Sequence, residues 1–219
     1  MRAAFYIDGF NLYHAIDDIG EAHLKWLNIK GLAETLIPMQ SETLVRIVYC
    51  TAVRSDNVDK MTRQRGYLKA LKSVGVECLL GHFATENRSC HQCRSTWSAP
   101  VEKQGDINLA ISLIDDAHSD VIDHAYLVTS DGDQAATVGL FKQSFPRKKI
   151  TTVSPPRRSH SKMILKNADA KIAINYGHIE SNLFPRAVMT ADQSAVLAMR
   201  PKEYDPPAGW VSPDQRPSQ

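Results

Sequence analysis

The 219-residue sequence has no apolar run approaching the roughly 20 residues that cross a bilayer, and its opening MRAAFYIDGF has neither the basic stretch nor the cleavage site of a secretory signal. Those two absences make the cytoplasm the expected location and leave no expectation of a membrane partner. Cysteine is scarce. Cys50, Cys78, Cys90 and Cys93 are too few and too unevenly spaced for the disulfide framework of a small secreted domain, so reduced thiols or a metal site are expected instead. No Walker lysine motif and no dinucleotide glycine fingerprint occurs, which argues against nucleotide-fuelled and redox chemistry. Residues 141–166 lack even one Asp or Glu, although they hold Lys142, Arg147, Lys148, Lys149, Arg157, Arg158, Lys162 and Lys166 in a chain whose formal net charge is only +2. Such a field suits a polyanion, or is an ordinary solvated basic face.

What is present is the composition of a folded chain, 43% hydrophobic and 23% charged, long enough for one substantial core with an appendage. Short apolar or β-branched runs at 3–7, 43–53, 76–83, 125–129, 150–153 and 170–174 read as strands. Helical spacing follows Phe10, precedes Pro38, fills 56–74 with Ser55 as a cap, and recurs after Asp106, from 135 to 141 and from 161 to 167. Alternating strands and helices imply right-handed crossovers, hence a three-layer α/β/α sandwich around a mostly parallel sheet. The polar stretch 84–101 reads as a long loop carrying the close cysteine pair. Beyond 176 the periodicity fades into an irregular C-terminal tail, with a short helix expected around 191–199 and flexibility expected from 201, where five of the eleven prolines lie. Trp210 in that tail leaves a contact with a second copy of the chain open.

In an open parallel sheet, ligands bind beyond the carboxyl ends of the strands. Asp8 follows the first strand, Asp131 and Asp133 follow AYLVT, and Asp106 opens the helix before that strand. Gly9 and Gly132 remove bulk beside them, and Asn11 adds a neutral oxygen or a donor. Carboxylates crowded together repel unless a cation joins them, and Mg2+ or Mn2+ takes such hard oxygen ligands. Taken singly, each acid also has an ordinary explanation as a turn residue or helix cap. Arg158, Ser159 and Lys162, at the front of a helix, are the expected phosphate contacts, with a plain basic helix start as the alternative.

The stretches FYIDGFNLYHAI, EKQGDINLAISLIDDA, AYLVTSDGDQAATV and SPPRRSHSKMILKNADAKIAI resemble, in order and spacing, the NYN domains of the PIN-like nuclease superfamily, particularly the LabA-like branch. The resemblance implies a PIN-like domain over 1–176 with a C-terminal extension over 177–219. It implies a metal site of Asp8, Asp106, Asp131 and Asp133 assisted by Asn11, and cleavage of RNA, as an endoribonuclease. One departure is Gln134, where relatives often carry an aromatic or apolar residue. An RNA-binding regulator without turnover is the competing reading. A phosphatase of the haloacid dehalogenase type also begins with an acidic strand, but its second acid, two positions on, is replaced here by Phe10. Cys90-x-x-Cys93 is half of a tetrahedral zinc site, with His82, His91 and Cys78 as candidates to complete it, or else a reduced dithiol. Cys50 reads as a core thiol.

Overall fold

The computed structural model describes residues 1–54 and 56–216. Its apolar runs become seven strands of one sheet: β1 (Arg2–Asp8), β2 (Thr43–Ala52), β3 (Glu77–Ser89), β4 (Thr96–Lys103), β5 (His124–Val128), β6 (Lys149–Ser154) and β7 (Ala170–Ala173). Their order is β4-β3-β2-β1-β5-β6-β7, with every neighbouring pair parallel except β3 and β4. The helices are α1 (Gly9–Asp17), α2 (Ile29–Leu36), α3 (Val58–Ser73), α4 (Gly105–His118), α5 (Ala135–Ser144), α6 (Lys162–Leu165) and α7 (Tyr176–Glu180). Among the described residues no helix is long and apolar enough to cross a membrane.

Because β1 is covered on both faces, its side chains alternate between two cores. Ala3, Phe5 and Ile7 join Leu12, Ile16, Leu32 and Leu71 from α1, α2 and α3, while Ala4 and Tyr6 join Leu109, Leu113, Val138 and Phe141 from α4 and α5. This is the expected α/β sandwich. Two polar clusters sit inside it. The buried Asp116 carboxylate accepts from Tyr6 Oη at 2.6 Å and from the Arg46 guanidinium at 2.5 Å. Nearer the amino ends of the strands, Glu42 bridges His124 and Tyr126, each at 2.8 Å.

Three local expectations are corrected. Residues 84–101 are no loop: β3 runs on past the sheet and pairs antiparallel with β4, from His82 opposite Lys103 to Ser89 opposite Thr96. Most of these positions meet solvent on both faces, so no hydrophobic alternation marked them as strands. Instead of a helix around 191–199, β8 (Ala187–Met189) and β9 (Val196–Met199) form a small antiparallel ribbon. Thr190 Oγ1 takes the Ser194 and Ala195 N–H groups at 3.1 Å each, and this capture of backbone donors favours a turn over a helix. Ser55, the expected cap of α3, lies outside the described residues; Asn57 caps that helix by accepting from the Lys60 N–H at 2.9 Å.

Residues beyond 176 fold back on the core, where Ile179, Phe184, Val188 and Ala198 join the cluster of Phe5 and Ile7. Trp210 Nε1 donates to Glu180 Oε1 at 3.0 Å, Arg216 pairs with the same carboxylate, and the Trp210 ring packs edge-on against His23. Trp210 therefore makes its contacts within the chain.

Candidate functional site

From β1 the chain winds outward through β2 and β3, and from β5 it winds the other way through β6 and β7, so the sheet's switch point lies between β1 and β5. At the carboxyl ends of those two strands opens a cavity of about 790 Å³. Asp8, Asp106 and Asp131 all line it.

Asp8 ends β1 and caps α1: one oxygen accepts from the Asn11 N–H at 2.9 Å, the other from Thr129 Oγ1 at 3.1 Å. Burial pushes its carboxyl up to about 6; the two hydrogen bonds pull the other way, and Asp106 and Asp131 push it further up. Gly9 is required at the next position. A Cβ there would lie 2.6 Å from the Cys50 carbonyl oxygen and 2.7 Å from the Tyr49 ring, a clash against backbone that holds α1 to β2. The same argument fails for Gly132, whose Cβ would meet only Ser161 Oγ at 3.6 Å, an ordinary contact.

Asp131 caps the turn Gly132–Gln134, accepting from the Asp133 N–H at 3.0 Å, and its own N–H donates to Thr129 Oγ1 at 3.1 Å. Thr129 thus ties the Asp8 and Asp131 segments together. Asn11 adds a second tie, its side-chain oxygen accepting from Ser130 N–H at 3.1 Å and from Ser130 Oγ at 2.9 Å. That carbonyl is engaged within the protein, so Asn11 positions the β5 loop, and its amide N–H groups are what it has to offer a ligand.

Asp106 stands in the first turn of α4 but does not cap it. Gln104, in the left-handed region at φ 79°, is the cap residue, and Glu102 accepts the Gly105 N–H at 2.8 Å. Although part of Asp106 meets solvent, the surrounding protein raises its carboxyl above the usual range, with Asp131 and Asp133 adding to the shift. Asp133 is exposed and does not line the cavity. Gln134, the departure noted in the sequence, is 3% exposed; it accepts from Thr137 and donates to the Asp106 carbonyl at 3.2 Å, locking α5 to the start of α4.

The remaining wall is cationic and aromatic, and most of it was not anticipated. Lys25, Arg54, Lys60 and Arg63 line the cavity with Phe10, Tyr13, Tyr49, Tyr67, Phe83 and Tyr204. Lys25 Nζ stands 5.5 Å from the Tyr13 ring centre and 5.8 Å from that of Tyr204, while the Arg54 guanidinium lies 5.8 Å from Phe83. Arg63 lines the cavity and pairs with Glu203 at 2.9 Å. Of the expected phosphate contacts, Arg158 lines the cavity and pairs with Asp18, whereas Ser159 and Lys162 are exposed and outside its lining. The basic run is partly spent on structure: Lys142 pairs with Asp169 at 2.7 Å and Lys148 with Asp120 at 2.6 Å. Cys50 is 2% exposed, and burial followed by the Asp8 and Asp106 charges pushes its thiol up to about 12, which makes it inert.

Among the described residues no three His, Cys, Asp or Glu side chains stand close enough to form a ready-made metal cage. The donor set nonetheless fits a hard cation. Its donors are all carboxylate oxygens, those of Asp8 and Asp106 raised above their usual pKa first by burial and then by neighbouring carboxylate charge, and Mg2+ commonly keeps several waters while using only one or two carboxylates.

Among curated proteins, the chain is 24% identical over 225 residues to the 6-hydroxy-3-succinoylpyridine 3-monooxygenase HspA of Pseudomonas putida, covering 86% of this chain and 72% of that one. A solved structure of a Vibrio parahaemolyticus protein of unknown function shares the fold, with a TM-score of 0.53 at 21% identity over 80% of this chain and 93% of that one. A model of the NYN domain matches residues 2–175, the span that carries the parallel sheet and Asp8, Asp106 and Asp131. By that match this chain belongs to the NYN domain family, a branch of the PIN-like nuclease superfamily.

Proposed function

We propose that the chain is a metal-dependent ribonuclease that hydrolyses RNA phosphodiester bonds in the cavity at the switch point. The observation that carries this reading is the meeting of Asp8, Asp106 and Asp131 in one cavity whose other wall is cationic and aromatic. Carboxylates alone would repel a phosphodiester, so they would serve as the seat of Mg2+ or Mn2+, with Asp133 as an outer neighbour. When bound, the ion supplies an activated water and charge to steady the departing oxygen. The chain's own residues do the rest. Arg54, Lys60, Arg63 and Arg158 hold the nucleic-acid backbone, and exposed faces of Tyr13 and Phe83 give bases a surface to stack on, which suits unpaired RNA. Thr129 and Asn11 keep the two acidic loops in register.

The test is cleavage of single-stranded RNA by purified protein with Mg2+ or Mn2+. Asp131→Asn lowers the rate by about a hundred-fold or more while leaving the fold intact, and chelator abolishes it. Equal cutting by the variant would assign the activity to a contaminant. Salt-sensitive binding with no cutting under either ion would make the chain an RNA-binding regulator.

A second reading comes from the relative that is named for a hydroxypyridine substrate. The same cavity, with several rings beside Arg54, Arg63 and Lys25, has the chemistry to hold a small heteroaromatic acid. Calorimetry with a pyridine carboxylate and with a nucleoside monophosphate separates the two, since only the nuclease reading requires the nucleotide to bind.

A further inference from the structure

The β3–β4 hairpin leaves the sheet beyond Gly81, the last β3 residue paired with β2, and its arms pair with nothing but each other. Seven residue steps separate His82 from Ser89, so the tip stands about 24 Å from the hairpin base at about 3.4 Å per residue. At that tip sit Cys90 and Cys93, both free thiols. The turn between them is ordered by the Cys90 N–H donating to the Ser95 carbonyl and the Arg94 N–H to the Cys90 carbonyl, 2.9 Å each. Arg94 adopts the left-handed region at φ 56°, which turns the chain back past the Cys93 sulfur. Ser95 Oγ lies 2.9 Å from the same atom. The thiolate is the form of cysteine that binds metals.

Two sulfurs at C-x-x-C spacing are half of a tetrahedral zinc site. The described residues of this chain do not supply the other half. Cys78 lies twelve residues back along β3, about 40 Å away at strand rise, and His82 is engaged with Gln104 at the hairpin base. Among the described residues no third His, Cys, Asp or Glu joins the pair. An identical tip related by two-fold symmetry supplies the two missing thiolates with the same geometry. The charges agree. A zinc ion with four thiolates carries net negative charge, and each tip sets Arg88 and Arg94 beside its cysteines. Trp97, 48% exposed opposite Arg88, gives the meeting arms an apolar surface to cover.

We propose that the Cys90–Cys93 turn is half of a zinc centre completed by the same turn of a second copy, four thiolates from two chains joining them tip to tip. Each thiol that binds gives up its proton to the solvent, and no redox step is involved. The site is separate from the acidic cavity, so it stands whether or not the chain cuts RNA.

The test uses the full chain, purified without metal-affinity steps, and zinc alone as the probe. Metal content and native mass should give one zinc per two chains and a doubled mass on zinc addition. Cobalt-substituted protein should show the absorption of a tetrahedral four-thiolate site. Cys93→Ser and Cys90→Ser should each return the mass to one chain and lose the metal, while in chelator variant and wild type keep the same thermal midpoint, since the tip is largely exposed. One zinc per chain at single-chain mass, no retained zinc, or a doubled mass that survives both chelator and Cys93→Ser would each overturn the proposal.

Discussion

Replacing Asp8 by Asn should make the metal-free protein more stable while silencing it. Asp8 sits where burial and two neighbouring carboxylates raise its pKa from 3.8 to about 6. At about 1.4 kcal/mol per tenfold change in proton affinity, this is an upper bound of about 3 kcal/mol against the ionised form at neutral pH. Contact with water at the cavity mouth trims it, so about 1–2 kcal/mol is the expected gain on removing the charge. Asn keeps what the carboxylate does locally: its oxygen still caps α1 through the Asn11 N–H, for which Asn and Asp are equivalent, and its amide can donate to Thr129 Oγ1. The folded state holds the Asp8 proton more tightly than the unfolded chain does. This group's cost is therefore absent at low pH and grows as pH rises from about 4 to about 6. Urea unfolding in chelator at pH 7 and pH 4 reads it: the variant gains at pH 7, and by pH 4 the gain falls below about a quarter of that value. Adding Mg2+ or Mn2+ then raises the wild-type midpoint and not the variant's. A variant no more stable than wild type at pH 7, or one equally stabilised at both pH values, would refute the crowded-carboxylate account.

Asp116→Ala should destabilise the fold by about 3–5 kcal/mol, because Tyr6 and the partly buried Arg46 both lose their carboxylate partner; a drop under about 1 kcal/mol in urea would show that the cluster is dispensable. Tyr204→Ala should raise the KM for RNA about ten-fold with kcat nearly kept, since it removes a ring of the cavity wall without touching the acids. An unchanged KM would exclude the tail from substrate contact.

The sheet was legible because its strands are apolar runs broken at glycine, proline and acidic turns, and β1 and β5 read almost to the residue. The acids were legible for a related reason: Asp8 and Asp131 end recognisable strands, and the switch point brings strand ends together. The hairpin was not, since strands that meet solvent on both faces have no pattern to display. Nor was the cationic wall. Arg63 and Tyr204 are 141 positions apart, and nothing local to either says that Glu203 will draw them to one mouth. The ordinary alternative for Asp106, a helix cap, does not hold, because Gln104 takes that position through a backbone conformation that composition does not disclose.

Glu180, by holding Trp210 and Arg216, fixes the course of the segment that contains Tyr204. That ring belongs to residues beyond the 2–175 span matched by the family, yet it closes one side of the chamber in which the aspartates stand. One ring of the wall is thus encoded outside the stretch that supplies the acids and the rest of the lining. Exchanging the last forty residues with those of another family member would retune which ligands are admitted and leave the acidic floor as it is.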